Sequence, residues 1–584
     1  MSENKTAVSA ILYSAKAPSP EQERRFCDFI ASKYGENIPL VWESSDKYKN
    51  GFRLEIGSDV YDWSIDGRFE QLKQMIMDTA KSKDSIPLIR ENLRSWTPKV
   101  LAQQVGTVLT VGDGIATVSG LEHATYGEIL LFEGGVRGMV QNLSETEAGC
   151  ILFDDDGSVG SSSKVVRTGK RAGIPVGEAF IGRVINSLGM PIDGNGEIAA
   201  SEYFPIERPA PAIIDRQPVN VPLKTGIMAI DSMFPIGRGQ RELIIGDRQT
   251  GKTSIAVDTI LNQKGKDVIC VYVSIGQKSS SVANLVRTLK EKGAMDYTVV
   301  LHASASDTAP MQYIAPYAGT SIGEYFMDKG KDVLIIYDDL SKHAVAYRTI
   351  SLLLGRSPGR EAYPGDVFYL HSRLLERSAH LSDAKGGGSM TALPIVETQA
   401  GDVSAYIPTN IISITDGQIF LESELFFAGQ RPAVNVGLSV SRVGGDAQTK
   451  AMKSAAGTLR LELAQYREMK TFTQFASDLD EETKKQLEFG QGLMQILRQG
   501  QGEARAQYEQ VIILVAVLSK TLTHIDAYEM NNFVSGMLDY FRKNYAALCD
   551  RIEKTGVLSA DDRASIIEIA GKFAETYEGS EAGR

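Results

Sequence analysis

A phosphate-binding loop constrains this sequence more than any other feature. Residues 246–253 read Gly-Asp-Arg-Gln-Thr-Gly-Lys-Thr and fit the pattern G-x-x-x-x-G-K-[ST]. In such a loop the glycines let backbone N–H groups close around a polyphosphate, the lysine reaches the outer phosphates, and the last hydroxyl holds Mg2+. Residues 242–245 predict a buried strand before the loop, and residues 254–261 predict a helix whose N-terminus faces the phosphates. The stretch therefore predicts a site for a nucleoside triphosphate with Mg2+.

Length and composition indicate the number of domains and the classes of partner that the chain can have. A chain of 584 residues is too long for one typical domain, so three or four are expected. The net charge of −11 argues against a nucleic-acid or anionic-membrane surface. The longest apolar run, residues 511–518, is far shorter than a bilayer span, and the polar residues 1–6 carry no secretory signal. We expect a cytosolic chain that meets a membrane only through a complex.

The four cysteines are spread along the chain without any C-x-x-C pair. Cys27, Cys150, Cys270 and Cys549 are each more than a hundred residues from the next. This spacing predicts neither a zinc site nor a disulfide framework, and it favours a reducing compartment.

The first 80 residues predict a small α+β domain. The pattern indicates, in order, a strand over 8–13, a helix over 18–33, strands around 52–56 and 60–63, and a closing helix over 68–77. Polar residues 81–85 then predict a linker, and residues 87–96 predict an amphipathic helix.

The remaining chain changes pattern twice. Residues 105–166 are short alternating runs punctuated by glycine, which predicts a small β-barrel. Beyond the phosphate loop, strands alternate with helices, which is typical of a parallel sheet covered by helices: strands over 267–273, 299–303 and 332–337, and helices over 281–292 and 315–329. From about residue 446 the pattern turns helical, with segments over 487–497, 510–518 and 560–577 that predict a bundle.

Two resemblances follow from motifs in these regions. Residues 51–57, Gly-Phe-Arg-Leu-Glu-Ile-Gly, with 60–68 after them, resemble the C-terminal region of the delta subunit of F-type ATP synthases. Residues 340–348, Leu-Ser-Lys-His-Ala-Val-Ala-Tyr-Arg, with 358–368 and 440–444, resemble the alpha subunits of the same family. This second resemblance runs in order from about residue 105 to the C-terminus.

The resemblance implies a multidomain α/β fold. It comprises a delta-like domain over 1–80, a linker and helix over 81–100, a β-barrel over 101–171, a RecA-like nucleotide-binding domain with its P-loop over 172–448 and a C-terminal α-helical bundle over 449–584. The implied partners are beta subunits in an alternating hexamer, the gamma central stalk, and the delta and b subunits of the peripheral stalk, with no nucleic acid. The implied complex makes ATP from ADP and phosphate with an ion gradient, on the cytoplasmic face of a bacterial cell membrane.

The resemblance also assigns the site residue by residue. The residues implied to wrap the phosphates of ATP or ADP are Gly246, Asp247, Arg248, Gln249, Thr250, Gly251, Lys252 and Thr253. Those implied to border the base and ribose are Phe426, Arg431, Pro432, Gln499 and Gln501. Thr253 and Asp338 are implied to lie near Mg2+, and Asp338 also ends the apolar run 333–338, which suits a carboxylate that holds Mg2+ through water.

Gln277 bears on whether this site can catalyse. In the catalytic beta subunits of the family a glutamate stands at this position, and a carboxylate can polarise an attacking water where a neutral amide is a negligible base. The alternative, that Gln277 only hydrogen-bonds locally, also leaves the site without a base. The chain's own site is therefore predicted to bind nucleotide without hydrolysing it.

Arg442 is the residue predicted to act in catalysis. It follows a short strand candidate, and the resemblance implies a guanidinium that crosses a subunit boundary, as arginine fingers do. The residues alone favour a surface salt bridge. A second class of function also stays open at this point, namely a self-sufficient homohexameric motor such as a termination-type RNA helicase; the net charge and Gln277 disfavour it.

Overall fold

The structure is a computed structural model that describes residues 9–34, 38–69, 71–72, 102–153, 157–473, 481–522, 525–526 and 528–577. The chain divides into two compact units. The first holds residues 1–173 with the short segments 308–310 and 349–357, and the second holds the rest. The predicted linker and helix over 81–100 lie outside the described residues. Within the described ranges, no helix combines the length and apolar character needed to cross a bilayer.

The first unit begins with a small α+β domain, as predicted. Its elements are β1 (Ala10–Ser14), α1 (Pro20–Tyr34), β2 (Leu40–Ser44), β3 (Arg53–Ile56) and β4 (Asp59–Asp62). The strands are arranged β2-β1-β3-β4, with β1 and β2 parallel and the other neighbours antiparallel. Alternate residues of β1 and β3 pack against α1 in a core of Ala10, Leu12, Ile30, Leu54, Ile56 and Tyr61.

The closing helix of this domain starts earlier than predicted. Residues 65–69 are already helical, although the pattern indicated a start at residue 68. The Ser64 hydroxyl accepts a hydrogen bond from the Gly67 amide at 3.1 Å, and the Asp62 carboxylate accepts one from the Ser64 amide at 2.8 Å. These two side chains satisfy amides at the start of the helix and so fix its beginning.

The rest of the first unit is a closed six-stranded barrel, which confirms the predicted β-barrel. Its strands are β5 (Ala102–Gly112), β6 (Ile115–Ser119), β7 (Glu128–Phe132), β8 (Arg137–Leu143), β9 (Glu147–Leu152) and β10 (Lys164–Arg171). They follow the order β10-β7-β8-β9-β6-β5, and antiparallel pairing of β10 with β5 closes the ring. Inward residues such as Val108, Val140 and Val165 fill the interior.

The second unit is built on an eight-stranded sheet. The sheet strands are β12 (Val184–Ile185), β16 (Leu243–Gly246), β17 (Val268–Gln277), β18 (Thr298–Ser304), β19 (Asp332–Asp338), β20 (Ser389–Glu397), β21 (Gly417–Leu421) and β22 (Val440–Ser441). Their order is β12-β18-β17-β19-β20-β16-β21-β22, and every neighbouring pair is parallel except β21 and β22. Short two-stranded pairs join β11 (Gly173–Val176) with β13 (Glu202–Pro205) and β14 (Pro222–Leu223) with β15 (Ile236–Gly237).

The helices of this unit lie between successive strands, and those that join parallel neighbours form the crossovers that parallel pairing requires. They are α2 (Met228–Met233), α3 (Lys252–Leu261), α4 (Ser279–Glu291), α5 (Ala309–Met327), α6 (Leu340–Leu353), α7 (Val367–Leu375), α8 (Tyr406–Ile414) and α9 (Ser423–Phe427). The strands between them are buried almost throughout, because helices cover the sheet.

The C-terminal region is helical, also as predicted. Its helices are α10 (Lys450–Ala455), α11 (Leu459–Thr473), α12 (Glu481–Ile496), α13 (Gln507–Leu518), α14 (Met530–Asn544), α15 (Ala546–Thr555) and α16 (Ala560–Thr576). The apolar run in α13 is buried on all sides, which explains why it reads as hydrophobic without period. Residues of α12 and α13 share one continuous core with α2 and α3.

Candidate nucleotide site and the opposite edge of the sheet

The phosphate loop joins the end of β16 to the start of α3. Gly251 has φ +94°, a conformation that glycine adopts without strain, and it directly precedes the helix. Gly246 lies so close to β21 that a Cβ atom there would stand 2.5 Å from the Leu421 carbonyl oxygen. Both glycines of the motif are therefore required by the backbone path.

Lys252 is the buried cation of this loop. Its side chain is 7% exposed, and its Nζ donates to the carbonyls of Gly246 at 2.9 Å and Asp247 at 2.5 Å. Burial lowers the pKa of this ammonium, and the carboxylates of Glu397 and Asp339 oppose that effect. An ammonium held at the centre of a loop at a helix N-terminus is placed to meet phosphate oxygens.

Asp247 fixes the shape of the loop. Its carboxylate accepts hydrogen bonds from the Thr398 hydroxyl at 2.6 Å, the Gly401 amide at 2.9 Å and the Ser423 hydroxyl at 3.0 Å. Burial raises the pKa of Asp247, but these three hydrogen bonds outweigh it and the pKa falls below its ordinary value. The adjacent Arg248 is exposed and pairs with Glu397 at 3.0 Å.

The Asp338 carboxylate, at the end of β19, accepts hydrogen bonds from three side chains. The Thr253 hydroxyl and the Tyr272 hydroxyl donate to its Oδ2 at 2.8 Å and 2.6 Å, and the Gln277 amide donates to its Oδ1 at 3.0 Å. The carboxylate is 3% exposed. A serine- or threonine-type hydroxyl beside a carboxylate is a set of hard oxygen ligands, which is the kind that Mg2+ takes together with phosphate. The residues present therefore fit the ion.

The next residue, Asp339, is more buried still. Burial raises the pKa of its carboxyl to about 6, against the opposing charge of Lys342, whose amine lies 3.3 Å away. The Lys342 amide donates to Asp339 at 2.8 Å and so ties the start of α6 to this carboxyl. The side chain is thus engaged by its own helix.

Gln277 ends β17 beside Asp338 and is half-buried. It shares one cavity of about 360 Å3 with Thr253, Asp338 and Gln501. An amide at this point supplies hydrogen bonds but has no titratable oxygen, so it cannot take a proton from water at neutral pH. Among the carboxylates described in the structure, none lines this cavity besides Asp338, which already accepts three hydrogen bonds.

The residues predicted for the base side fall into two groups. The Arg431 guanidinium stacks over the Phe426 ring, 4.7 Å from its centroid, and Pro432 follows Arg431 through a cis peptide bond. The backbone amide of Gln499 donates to the Arg431 carbonyl at 2.8 Å. The Gln499 side chain instead hydrogen-bonds the backbone of Gly226 and Met228. Gln501 instead faces the cavity shared with Asp338.

Arg442 lies at the opposite end of the sheet's strands from the phosphate loop, although only β21 stands between β16 and β22. The carboxyl end of these strands is the phosphate edge, and their amino end is the Arg442 edge. Its amide donates to the Asp416 carbonyl at 2.8 Å, just before β21 begins, whereas the loop follows Gly246, which pairs with Leu421 at the end of β21. Five residues of strand at about 3.3 Å each separate these levels by about 16 Å. The guanidinium is exposed, and no carboxylate in the described part of the chain forms an ion pair with it. It does not belong to this chain's own phosphate site.

Sequence reasoning missed three contributors to these sites. Tyr272 holds Asp338 from the middle of β17, Glu397 pairs with Arg248, and Glu242 is a fully buried carboxyl below the Arg442 edge. The continuous apolar run of β17 indicates that Tyr272 is buried, but only the register between β17 and β19 shows that it reaches Asp338. Glu242 lies in the predicted strand over 242–245, but no feature of the sequence indicated that its carboxyl group is buried.

Four family models match the chain. Residues 226–441 match the nucleotide-binding domain of the ATP synthase alpha/beta family, 101–169 its beta-barrel domain, and 448–573 the C-terminal domain of the alpha/beta chain. Residues 1–76 match the ATP synthase delta (OSCP) subunit.

Curated relatives give the same picture. The ATP synthase subunit alpha of Clostridium botulinum (strain Hall) is 61% identical over 497 residues, which is 85% of this chain and 99% of that protein. The ATP synthase subunit alpha of Acetivibrio thermocellus is 59% identical over 491 residues, 84% of this chain and 97% of that protein.

Proposed function

The chain belongs to the ATP synthase alpha/beta family as an alpha-type subunit, and from that premise we propose that it is a non-catalytic, nucleotide-binding subunit that completes catalytic sites on neighbouring beta subunits. The observation that carries this proposal is the separation of its two polar sites. The phosphate loop and Arg442 stand at opposite ends of the strands of one sheet, so the guanidinium lies outside the chain's own phosphate site.

Among the described residues that line the chain's own site, none is placed to act as a general base, which supports a binding role. Lys252, Thr253 and Asp338 would hold Mg-ATP, with Mg2+ neutralising phosphate charge. Gln277 stands where the resemblance implies a glutamate base in catalytic subunits, and its amide cannot take a proton from water. Nucleotide at this site would then stabilise the subunit and its interfaces instead of turning over.

Arg442 supports a role in a neighbour's catalysis. Its backbone is fixed to Asp416, whose carboxylate is gripped by Arg241 through Nε at 3.0 Å and Nη2 at 2.8 Å. The guanidinium itself stays exposed on the edge strand. A planar fork held on a rigid base at an open edge matches an arginine finger that meets phosphoryl oxygens of the next subunit.

The decisive variant is Arg442→Lys in the assembled complex. The finger contributes more to the transition state than to bound ATP, so we expect turnover to fall roughly 10³-fold while nucleotide occupancy of the beta sites stays near wild type. Steady-state ATPase and equilibrium nucleotide binding are measured on the same preparation. Arg460→Lys is the matched control, because that guanidinium stacks on Phe234 inside the same chain. Near-normal turnover of Arg442→Lys would make Arg442 a surface residue.

The N-terminal domain supports a second part of the proposal, attachment to the delta and b subunits of the peripheral stalk. A groove of about 730 Å3 opens beside α1 and is lined by aromatic rings and three cations, Lys16, Arg25 and Lys49. Of the described residues that line it, none is acidic. An apolar segment with acidic flanks complements such a groove in shape and charge.

Deletion of residues 1–80 tests the attachment. We expect the truncated complex to keep the ATPase activity of its ring, because no residue of the phosphate site or of the Arg442 edge lies in this domain. Coupling to the membrane sector is expected to weaken, since the ring would no longer be held against rotation. A truncated complex that pumps ions and sediments like wild type would refute the attachment.

A further inference from the structure

The N-terminal domain and the barrel are joined by a β-ladder. Strand β4 pairs antiparallel with the start of β5, in the register Asp59 with Gln104, Val60 with Gln103 and Tyr61 with Ala102. The Val105 amide extends the ladder by donating to the Ser58 carbonyl at 3.0 Å. Further along, β5 pairs with β10 and β6 inside the barrel, so a single strand belongs to both sheets.

Polar contacts anchor the ladder on the side of the N-terminal domain. The Asp59 carboxylate accepts a hydrogen bond from the Tyr34 hydroxyl at the end of α1. The Tyr34 and Tyr61 hydroxyls lie 2.8 Å apart, and Lys33 donates to Tyr61 at 2.6 Å. The paired residues Asp59 and Tyr61 are therefore fixed to the helix of their own domain as well as to the barrel strand.

Buried charges anchor the ladder on the side of the barrel. Gln104 is 7% exposed, and its side-chain oxygen accepts from Arg167 at 2.9 Å. Arg167 also donates twice to Glu128, at 3.0 Å and 2.9 Å, and Glu128 is 1% exposed. Burial raises the pKa of Glu128, but the bonds from Arg167 and from backbone amides outweigh it and lower the pKa. The ladder thus ends on a barrel ion pair that stays charged.

We propose that this ladder, and not the covalent connection through residues 73–101, holds the N-terminal domain on the barrel and carries mechanical load between them. The edge of β4 is an intramolecular docking surface whose partner is the chain's own residues 102–105. The load-bearing part of the inference rests on the proposed stalk attachment; the docking itself does not. If the ladder holds the two domains together, the length of the covalent connection does not affect how the N-terminal domain is held on the barrel.

The register identifies the amide whose loss breaks the ladder. Hydrogen-bonded and non-hydrogen-bonded pairs alternate in an antiparallel ladder. Because Val105 bonds Ser58, the next hydrogen-bonded pair is Gln103 with Val60. Gln103→Pro removes the amide that faces β4, whereas Gln103→Ala keeps it and removes only the side chain. These two substitutions form a matched pair.

The test cuts the chain between the two domains. A protease site is inserted after Lys83, the full complex is cleaved, and the ring is then separated from the stalk subunits and passed over a sizing column. With Gln103→Ala, we expect the N-terminal fragment to stay with the ring; with Gln103→Pro, we expect at least about tenfold less to be retained. Release of the fragment in both cases would overturn the docking. Because Gln103 lies in the first unit, circular dichroism of the purified chain checks that each variant is folded.

A second arm tests the load. A Gly-Ser insertion of about ten residues after Lys83 gives a connection too compliant to transmit force by itself. We expect ATP-driven ion pumping to stay coupled with this insertion and to be lost with Gln103→Pro. Loss of coupling with the insertion alone would overturn the load-bearing role. If deletion of residues 1–80 leaves coupling intact, the stalk attachment fails, while the result of the cleavage arm still decides the docking.

Discussion

The two edges of the central sheet differ in how completely one chain builds them. At the phosphate edge, the polar groups find partners within the chain: Asp338 accepts three hydrogen bonds, Asp247 accepts three, and Lys252 donates to two carbonyls. At the opposite edge, Arg442 is held by its backbone, and its guanidinium forms no ion pair within the described residues. The polar groups of the phosphate edge are satisfied within one chain, whereas the Arg442 edge presents a guanidinium without an ion-pair partner among the described residues.

Burial reinforces this difference. Glu242 is fully buried below the Arg442 edge, and one of its oxygens lacks a hydrogen-bond partner among the described residues. Burial and the charge of Asp416 raise its pKa well above the ordinary value, while Gln240 and Arg442 oppose the rise. At this edge Asp416 is paired with Arg241, while Arg442 has no ion-pair partner in the described part of the chain. A buried carboxyl with a strongly raised pKa beside an exposed guanidinium is the kind of arrangement found at functional sites.

After the roughly 10³-fold loss of turnover expected for Arg442→Lys, the largest expected effect is on the phosphate edge alone. Lys252→Ala removes the buried cation that would meet the outer phosphates, so we expect nucleotide affinity of the chain's own site to fall about 100-fold or more. Initial turnover at the beta sites is expected to stay within a few-fold of wild type. Equilibrium binding and initial ATPase rates measure the two quantities, with the exposed Lys290→Ala as control. Equal loss of both would mean that the two edges are not independent.

Asp338→Asn is expected to weaken ATP binding less than Lys252→Ala does, and only when Mg2+ is present. The amide keeps the shape but loses the charge, so the gain in ATP affinity on adding Mg2+ should shrink by about tenfold. Calorimetric titration with ATP, in Mg2+ and in chelator, measures that gain. Asp296→Asn changes an exposed carboxylate in the same unit and should leave it unaltered. An undiminished Mg2+ effect in Asp338→Asn would remove this residue from the ion's surroundings.

The smallest expected effect is a pH dependence at the Arg442 edge. The raised pKa of Glu242 means that the folded chain keeps a proton that the unfolded chain loses above its ordinary pKa near 4.5. The contribution of Glu242 to the free energy of unfolding is fully present below that pH. It declines as the pH rises, by at most about 1.4 kcal/mol per pH unit. Glu242→Gln should therefore gain stability over wild type between about pH 5.5 and pH 8.

Urea midpoints at these two pH values measure the gain. The exposed Glu291→Gln is the matched control and should show no such difference. A wild type and a Glu242→Gln variant that respond equally to pH would show that Glu242 is ionised in the folded chain.

The sequence predicts the phosphate edge well because its signals are local. Strand, loop and helix follow one another within residues 242–261, and the loop needs glycine at two positions for reasons of backbone geometry alone. The contact of Gln277 and Tyr272 with Asp338 could not be read in this way, since it depends on the register of two strands separated by more than fifty residues. The local sequence pattern predicts the individual strands, loops and helices, whereas strand pairing determines which of their side chains come into contact.

The same limit applies more strongly to Arg442 and to the N-terminal ladder. Antiparallel pairing of β22 with β21 puts Arg442 at the edge away from the loop, and no local pattern specifies that direction. The pairing of β4 with β5 joins residues on either side of a predicted linker, so the sequence indicated two separate domains where the structure has a shared strand. The small domain, the barrel, the parallel sheet and the helical end were predicted correctly, because each rests on its own periodicity.

The fate of ATP bound to the purified chain tests the central claim most directly. The isolated chain is loaded with labelled ATP and Mg2+, separated from free nucleotide, and the bound label is analysed over several hours. Because Gln277 provides no base and Arg442 lies about 16 Å away along the strands, the bound label is predicted to remain ATP, in a stoichiometric complex that Lys252→Ala abolishes. Continuous release of ADP and phosphate by the pure chain would contradict the account.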